Sequence, residues 1–137
     1  MNANTPHTRI FLVKYDVIIF DVDNDDNQSP LRCPHPVFLA DQVLENVRSL
    51  LSDPNGLFVL NFASRDQSNE ERDKCFQQLR RNFAHLSSIK VDDDINEILF
   101  ASNEIGLNIK SSTKISQDNL AFNFDIGELL SKLIIEK

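Results

Sequence analysis

The sequence predicts an α/β domain, a three-layer arrangement with a mainly parallel central sheet and helices on its faces. Three observations carry that expectation. Val17-Ile18-Ile19-Phe20 is continuously apolar, as a strand covered on both faces must be. Strand-like and helix-like segments alternate along the chain. The polar residues able to do chemistry fall just after the strand-like segments, where open parallel sheets place their sites.

The elements follow in order. Ile10 to Phe20 is rich in Ile, Val and Phe and stops at Asp21-Val22-Asp23-Asn24-Asp25. Asn24 to Pro36, with three prolines among Asn and Asp, reads as a loop. Leu39, Val43, Leu44, Val47, Leu50 and Leu51 have the spacing of one helix face, and Asp53-Pro54-Asn55-Gly56 ends it. Leu57 to Phe62 is a second strand, running into Ala63-Ser64-Arg65-Asp66. Ser68 and Glu71 form a capping-box pattern for a second helix, whose stripe is Phe76, Leu79, Phe83 and Leu86. Ile98 to Ala101 reads as a third strand and Ser102 to Thr113 as a loop. Leu120 to Phe124 reads as a fourth strand ending on Asp125, and Glu128 to Glu136 as a closing helix.

The 137 residues suit one domain over 10–137 after a polar lead-in at 1–9, or one domain cut from a longer protein. No apolar run reaches the ~20 residues that span a bilayer. A net charge of −7 argues against a nucleic-acid partner. Cys33 and Cys75 belong to no ligand pattern, which fits a reducing, cytoplasmic setting, including that of a bacterial protein delivered to a host cytosol.

The strand ends deliver Asp21 and Asp23, then Ser64 and Arg65, then Lys110 and Lys114 in the loop, then Asp125. Converging carboxylates repel unless a cation joins them, and oxygen-only ligands suit Mg²⁺. A phosphate group would complete such a site.

Val17 to Asp23, an apolar strand followed by Asp-x-Asp, resembles the first motif of the haloacid dehalogenase (HAD) phosphatases. Leu57 to Ser64 resembles their second motif, Ile98 to Lys110, in particular Ala101 to Gly106 followed by lysine, their lysine-bearing segment, and Leu120 to Asp125 their fourth. The resemblance implies a capless, HAD-like, Rossmann-like domain acting as a Mg²⁺-dependent phosphatase on phosphotyrosine or another phosphoprotein group. It implies Asp21 as nucleophile through an aspartyl-phosphate and Asp23 as general acid and base. It assigns Mg²⁺ to Asp21, Asp23 and Asp125, and the phosphoryl group to Ser64, Arg65 and either Lys110 or Lys114. Two alternatives stand beside it. Asp25 and Ile126 depart from the motifs, which favours a non-catalytic HAD-like binding module. A phospho-acceptor receiver domain would need an aspartate where Ser102 stands.

Overall fold

The computed structural model describes residues 13–66, 68–90, 95–103 and 134–136. Strand β1 is Val17–Phe20 and β2 is Leu31–Cys33. A 3₁₀ turn at Pro36–Leu39 leads into helix α1, Asp41–Leu50. Strand β3 is Leu57–Ser64, helix α2 is Glu70–Asn82, β4 is His85–Lys90, β5 is Asn96–Ser102 and β6 is Ile134–Glu136.

The apolar runs and the 3.6-residue periods form the elements they predict. In α1 the stripe buries Leu44 and Val47, with Asp41 in the first turn and Arg48 in the last, each matching the helix dipole. Gly56 closes the turn into β3, where a Cβ would meet the Leu51 Cβ at 2.6 Å. Strand β3 alternates, with Phe58, Leu60 and Phe62 buried on one face and Leu57, Val59 and Asn61 half-buried on the other. Both described helices pack on the Phe58 face, where Leu44, Val47, Phe76 and Leu79 join the core. Phe58 meets Phe20 edge-on at 5.0 Å and stacks on Phe83 at 5.7 Å. Cys75 is fully buried there, and that burial pushes its thiol up to about 12.

The sheet order is β1-β3-β5-β4-β6, with β2 also pairing β3. Among the described strands, β1 runs parallel to β3, while β2–β3, β3–β5, β4–β5 and β4–β6 are antiparallel. The sheet is therefore mixed, not mainly parallel. The physical reason is a strand the sequence pattern hides. Leu86 does not continue the α2 stripe: the helix ends at Asn82 and Leu86 begins the core face of β4. Strand β4 turns back as a hairpin into β5, which slots between β3 and β4 and so runs against both.

Three smaller expectations also change. The N-cap of α2 is Asn69, with no side-chain capping bond, and Ser68 instead hydrogen-bonds Asp66. The loop from Asn24 to Pro36 contains β2. Residues 134–136 are strand, not the end of a helix. The predicted strand at Leu120–Phe124, with Asp125, Lys110 and Lys114, lies outside the described residues.

Candidate functional site

The carboxyl end of β1 lies against the middle of its parallel neighbour β3, which runs on to Ser64. Phe20 is in register with Leu60, so the next residues, Asp21 and Asn61, face each other. The Asn61 Nδ2 amide donates to Asp21 Oδ1 at 2.9 Å, which fixes the carboxylate at the strand end. The Asn61 Oδ1 is buried and accepts no hydrogen bond. Asp21 and Asp23 are exposed, so this end of the sheet presents negative charge to solvent.

The chain beyond Asp23 is held rigidly by its own backbone contacts. Asn24 is buried, donates to the Leu31 carbonyl at 2.9 Å and accepts from the Asp26 amide at 3.1 Å. Arg65 reaches from the end of β3 into this loop. Its guanidinium donates to the carbonyls of Asn24, Asp26, Ser29 and Leu31 at 2.9–3.1 Å. Five N–H donors in a planar fork suit such a cage of carbonyl oxygens. Ser64 Oγ donates to the Pro30 carbonyl at 3.3 Å and accepts from the Asp66 amide. Ser64 and Arg65 thus clasp the loop that carries Asp25 and Asp26. Cys33 donates to the Val22 carbonyl at 3.4 Å. Burial raises its thiol above the ordinary value, helped by the charges of Asp21 and Asp23, so it is a poor nucleophile.

Asn61 is the residue the sequence reading passed over. Its signal was available: a polar residue interrupting the apolar run Leu57 to Phe62. Beside the β3 end, a cleft of about 340 Å³ is lined by Ser64, Arg65, Asp66, Arg72 and Lys90. Among the described residues, no three His, Cys, Asp or Glu side chains converge as metal ligands do.

With this geometry in view, the chain can be set beside known proteins. No family model matches the sequence. The chain is 41% identical over 86 residues to the eEF1A lysine and N-terminal methyltransferase of Xenopus laevis, covering 63% of this chain and 12% of that protein. It is 35% identical over 92 residues to the homologue in Drosophila melanogaster, covering 67% and 13%. In three dimensions it is similar to human methyltransferase-like protein 13, solved in complex with S-adenosylhomocysteine (SAH). That likeness has a TM-score of 0.67 at 28% identity and covers 87% of this chain and 55% of the other. The chain therefore spans only about an eighth of the length of these curated relatives.

These findings overturn the HAD reading. The relatives are methyltransferases, and the neighbour was solved in complex with SAH. A phosphomonoester hydrolase with an aspartyl-phosphate, a Mg²⁺ cofactor and a phosphoprotein substrate is thereby set aside. The resemblance was the ground for catalysis by Asp21 and Asp23, Mg²⁺ on Asp21, Asp23 and Asp125, and phosphate on Ser64, Arg65, Lys110 or Lys114; the comparisons bear on that chemistry and not on the positions themselves. The physical reason lies in the first motif. An apolar strand with acids at its carboxyl end is compatible with many α/β sheets whose chemistry sits at the strand ends, so it does not by itself select an activity.

Proposed function

We propose that this chain forms part of an S-adenosylmethionine-dependent protein methyltransferase, and that it contributes the acidic strand end that receives the substrate amine. The likeness to the SAH-bound neighbour, together with relatives acting on eEF1A, is the observation that carries the reading.

The residues present fit one side of such a reaction. S-adenosylmethionine, when bound, supplies an electrophilic methyl group. A lysine or terminal amine arrives as a cation and must shed a proton before its lone pair can attack. Asp21 and Asp23, exposed at the end of β1, attract that cation and orient it. Asn61 holds Asp21 in place by its 2.9 Å hydrogen bond, so the carboxylate needs no rearrangement to receive the amine. The clasp of Arg65 on the loop carbonyls fixes the backbone that follows. The cofactor side is less represented here. Of the chain's three glycines none forms a Gly-x-Gly pair, and Gly56 lies at the amino end of β3, away from the acidic edge.

The test is a chimera in which this chain replaces the matching part of the human neighbour. Given tritiated S-adenosylmethionine and purified eEF1A, the chimera is expected to label the protein. Asp21→Ala is expected to reduce labelling by roughly 100-fold, the size of effect that follows loss of an oriented charge at a reacting group. A chimera that binds SAH yet labels no protein amine would end this reading.

A further inference from the structure

Two different devices place the acids at the end of β1. Asp21 is anchored directly, by the Asn61 amide. Asp23 is exposed, so its place is set by the backbone it sits on. The next residue, Asn24, is buried and held through each of its polar groups. Its N–H donates to the Arg32 carbonyl at 2.7 Å, and its side chain bonds the Leu31 carbonyl and the Asp26 amide. Its own carbonyl accepts from Arg65 Nη2 at 2.9 Å.

The stretch that follows, Asp25 to Gln28, is exposed and has no apolar side chain. Burial of apolar surface therefore contributes nothing to its shape. Local bonds form its turns: the Gln28 N–H donates to Asp26 Oδ1 at 2.9 Å and the Ser29 N–H to the Asp26 carbonyl at 3.1 Å. Arg65 ties those turns to the sheet. Its Nη1 donates to the carbonyls of Asp26, Ser29 and Leu31, and its backbone N–H to that of Pro30 at 2.8 Å. Carbonyl dipoles aimed at one point repel each other unless a cation occupies it. The loop thus closes on the guanidinium as it would on a bound cation, and the cation is delivered by the residue that follows β3.

We propose that Arg65 is a positioning residue: without touching substrate, it fixes Asp23, through Asn24 and the loop it closes, where the incoming amine is received. What Asp23 does there rests on the methyltransferase reading; the clasp itself does not. Asp21 keeps its separate anchor. Loosening the loop therefore weakens capture of the cationic amine more than the transfer that follows, which raises KM and spares kcat. Lysine cannot replace this arginine, because a point charge on a flexible stem does not reproduce a planar fork of donors.

The experiment has two arms. In the full chain, Arg65→Ala is expected to speed amide exchange at Asn24, Asp26, Gln28 and Ser29 by at least about tenfold, the scale of losing one hydrogen bond to a charged group. Arg65→Lys should recover only part of that protection. Low-millimolar guanidinium chloride, far below the molar range that unfolds proteins, should refill the cage of the alanine variant, and potassium chloride at equal ionic strength should not. Arg65 lies outside the core cluster, so the variant should fold, and an unchanged circular dichroism spectrum verifies this. In the chimera with the human neighbour, Arg65→Ala is expected to raise KM for eEF1A about tenfold with kcat within about twofold, and guanidinium should reverse the rise. Exchange that is unchanged in Arg65→Ala, or a loosened loop with KM unchanged, overturns the proposal. So does a rise in KM that guanidinium leaves in place while it restores protection. A wild-type chimera that transfers no methyl group ends the methyltransferase reading, and with it the role of Asp23, while the exchange arm still decides the clasp.

Discussion

Phe58→Ala is expected to cost about 4 kcal/mol of folding stability, the usual range for deleting a fully buried aromatic ring. The site explains the size. Phe58 is 1% exposed on the central strand, edge-on to Phe20 from β1 and stacked on Phe83 at the end of α2. Removing the ring unseats three elements together, and a domain of this size is stable by only ~5–15 kcal/mol. Urea unfolding followed by circular dichroism measures it. Phe58→Leu, which keeps most of the volume, should lose clearly less. Equal losses in the two variants would mean that the ring contacts are not what holds β1, β3 and α2 together.

The second large effect is at Arg72 and Glu97, which join α2 to β5. The guanidinium donates twice to the carboxylate, both bonds at 2.8 Å, and lies over the Phe76 ring at 4.1 Å. Glu97 is 4% exposed. Burial alone would raise its carboxyl, but the bonds from Arg72 and Ser88 and the charges of Arg72 and Lys90 outweigh that and hold it below its ordinary value of 4.5. Glu97→Ala removes both carboxylate bonds from the part-buried Arg72 guanidinium and is expected to cost about 3 kcal/mol. The pH dependence follows from the lowered value. The contribution of Glu97 is complete above about 4.5 and is lost as pH falls through the lower folded value. Urea midpoints measured from neutral pH down to acid should therefore decline more steeply for the wild type than for Glu97→Gln. Parallel slopes would show that Glu97 titrates alike folded and unfolded.

The four elements β1, α1, β3 and α2 were legible because each is long or strongly periodic. Strand β4 was not. Its core face is Leu86 and Ser88, and Ser88 is buried by virtue of its hydrogen bond to Glu97, a partner that only the folded sheet supplies. With β4 unseen, Ile98 to Ala101 became the first strand after α2 and inherited its direction. That one omission turned a mixed sheet into a parallel one and made a phosphatase-like order of motifs credible. At the site, the positions of Asp21, Asp23, Ser64 and Arg65 at the strand ends were readable, because a strand stops where its apolar run stops. The task of Arg65 was not readable. Its acceptors are carbonyls 34 to 41 residues away, brought together by the loop's fold and not by any pattern of side chains.

The most direct test sets the two chemistries against each other. The chimera with the human neighbour should be incubated in parallel with tritiated S-adenosylmethionine plus eEF1A and with p-nitrophenyl phosphate plus Mg²⁺. The account predicts label on the protein, lost in Asp21→Ala, and no release of phosphate above background. Mg²⁺-dependent phosphate release that Asp21→Asn abolishes, with no methyl transfer from the same preparation, would contradict it.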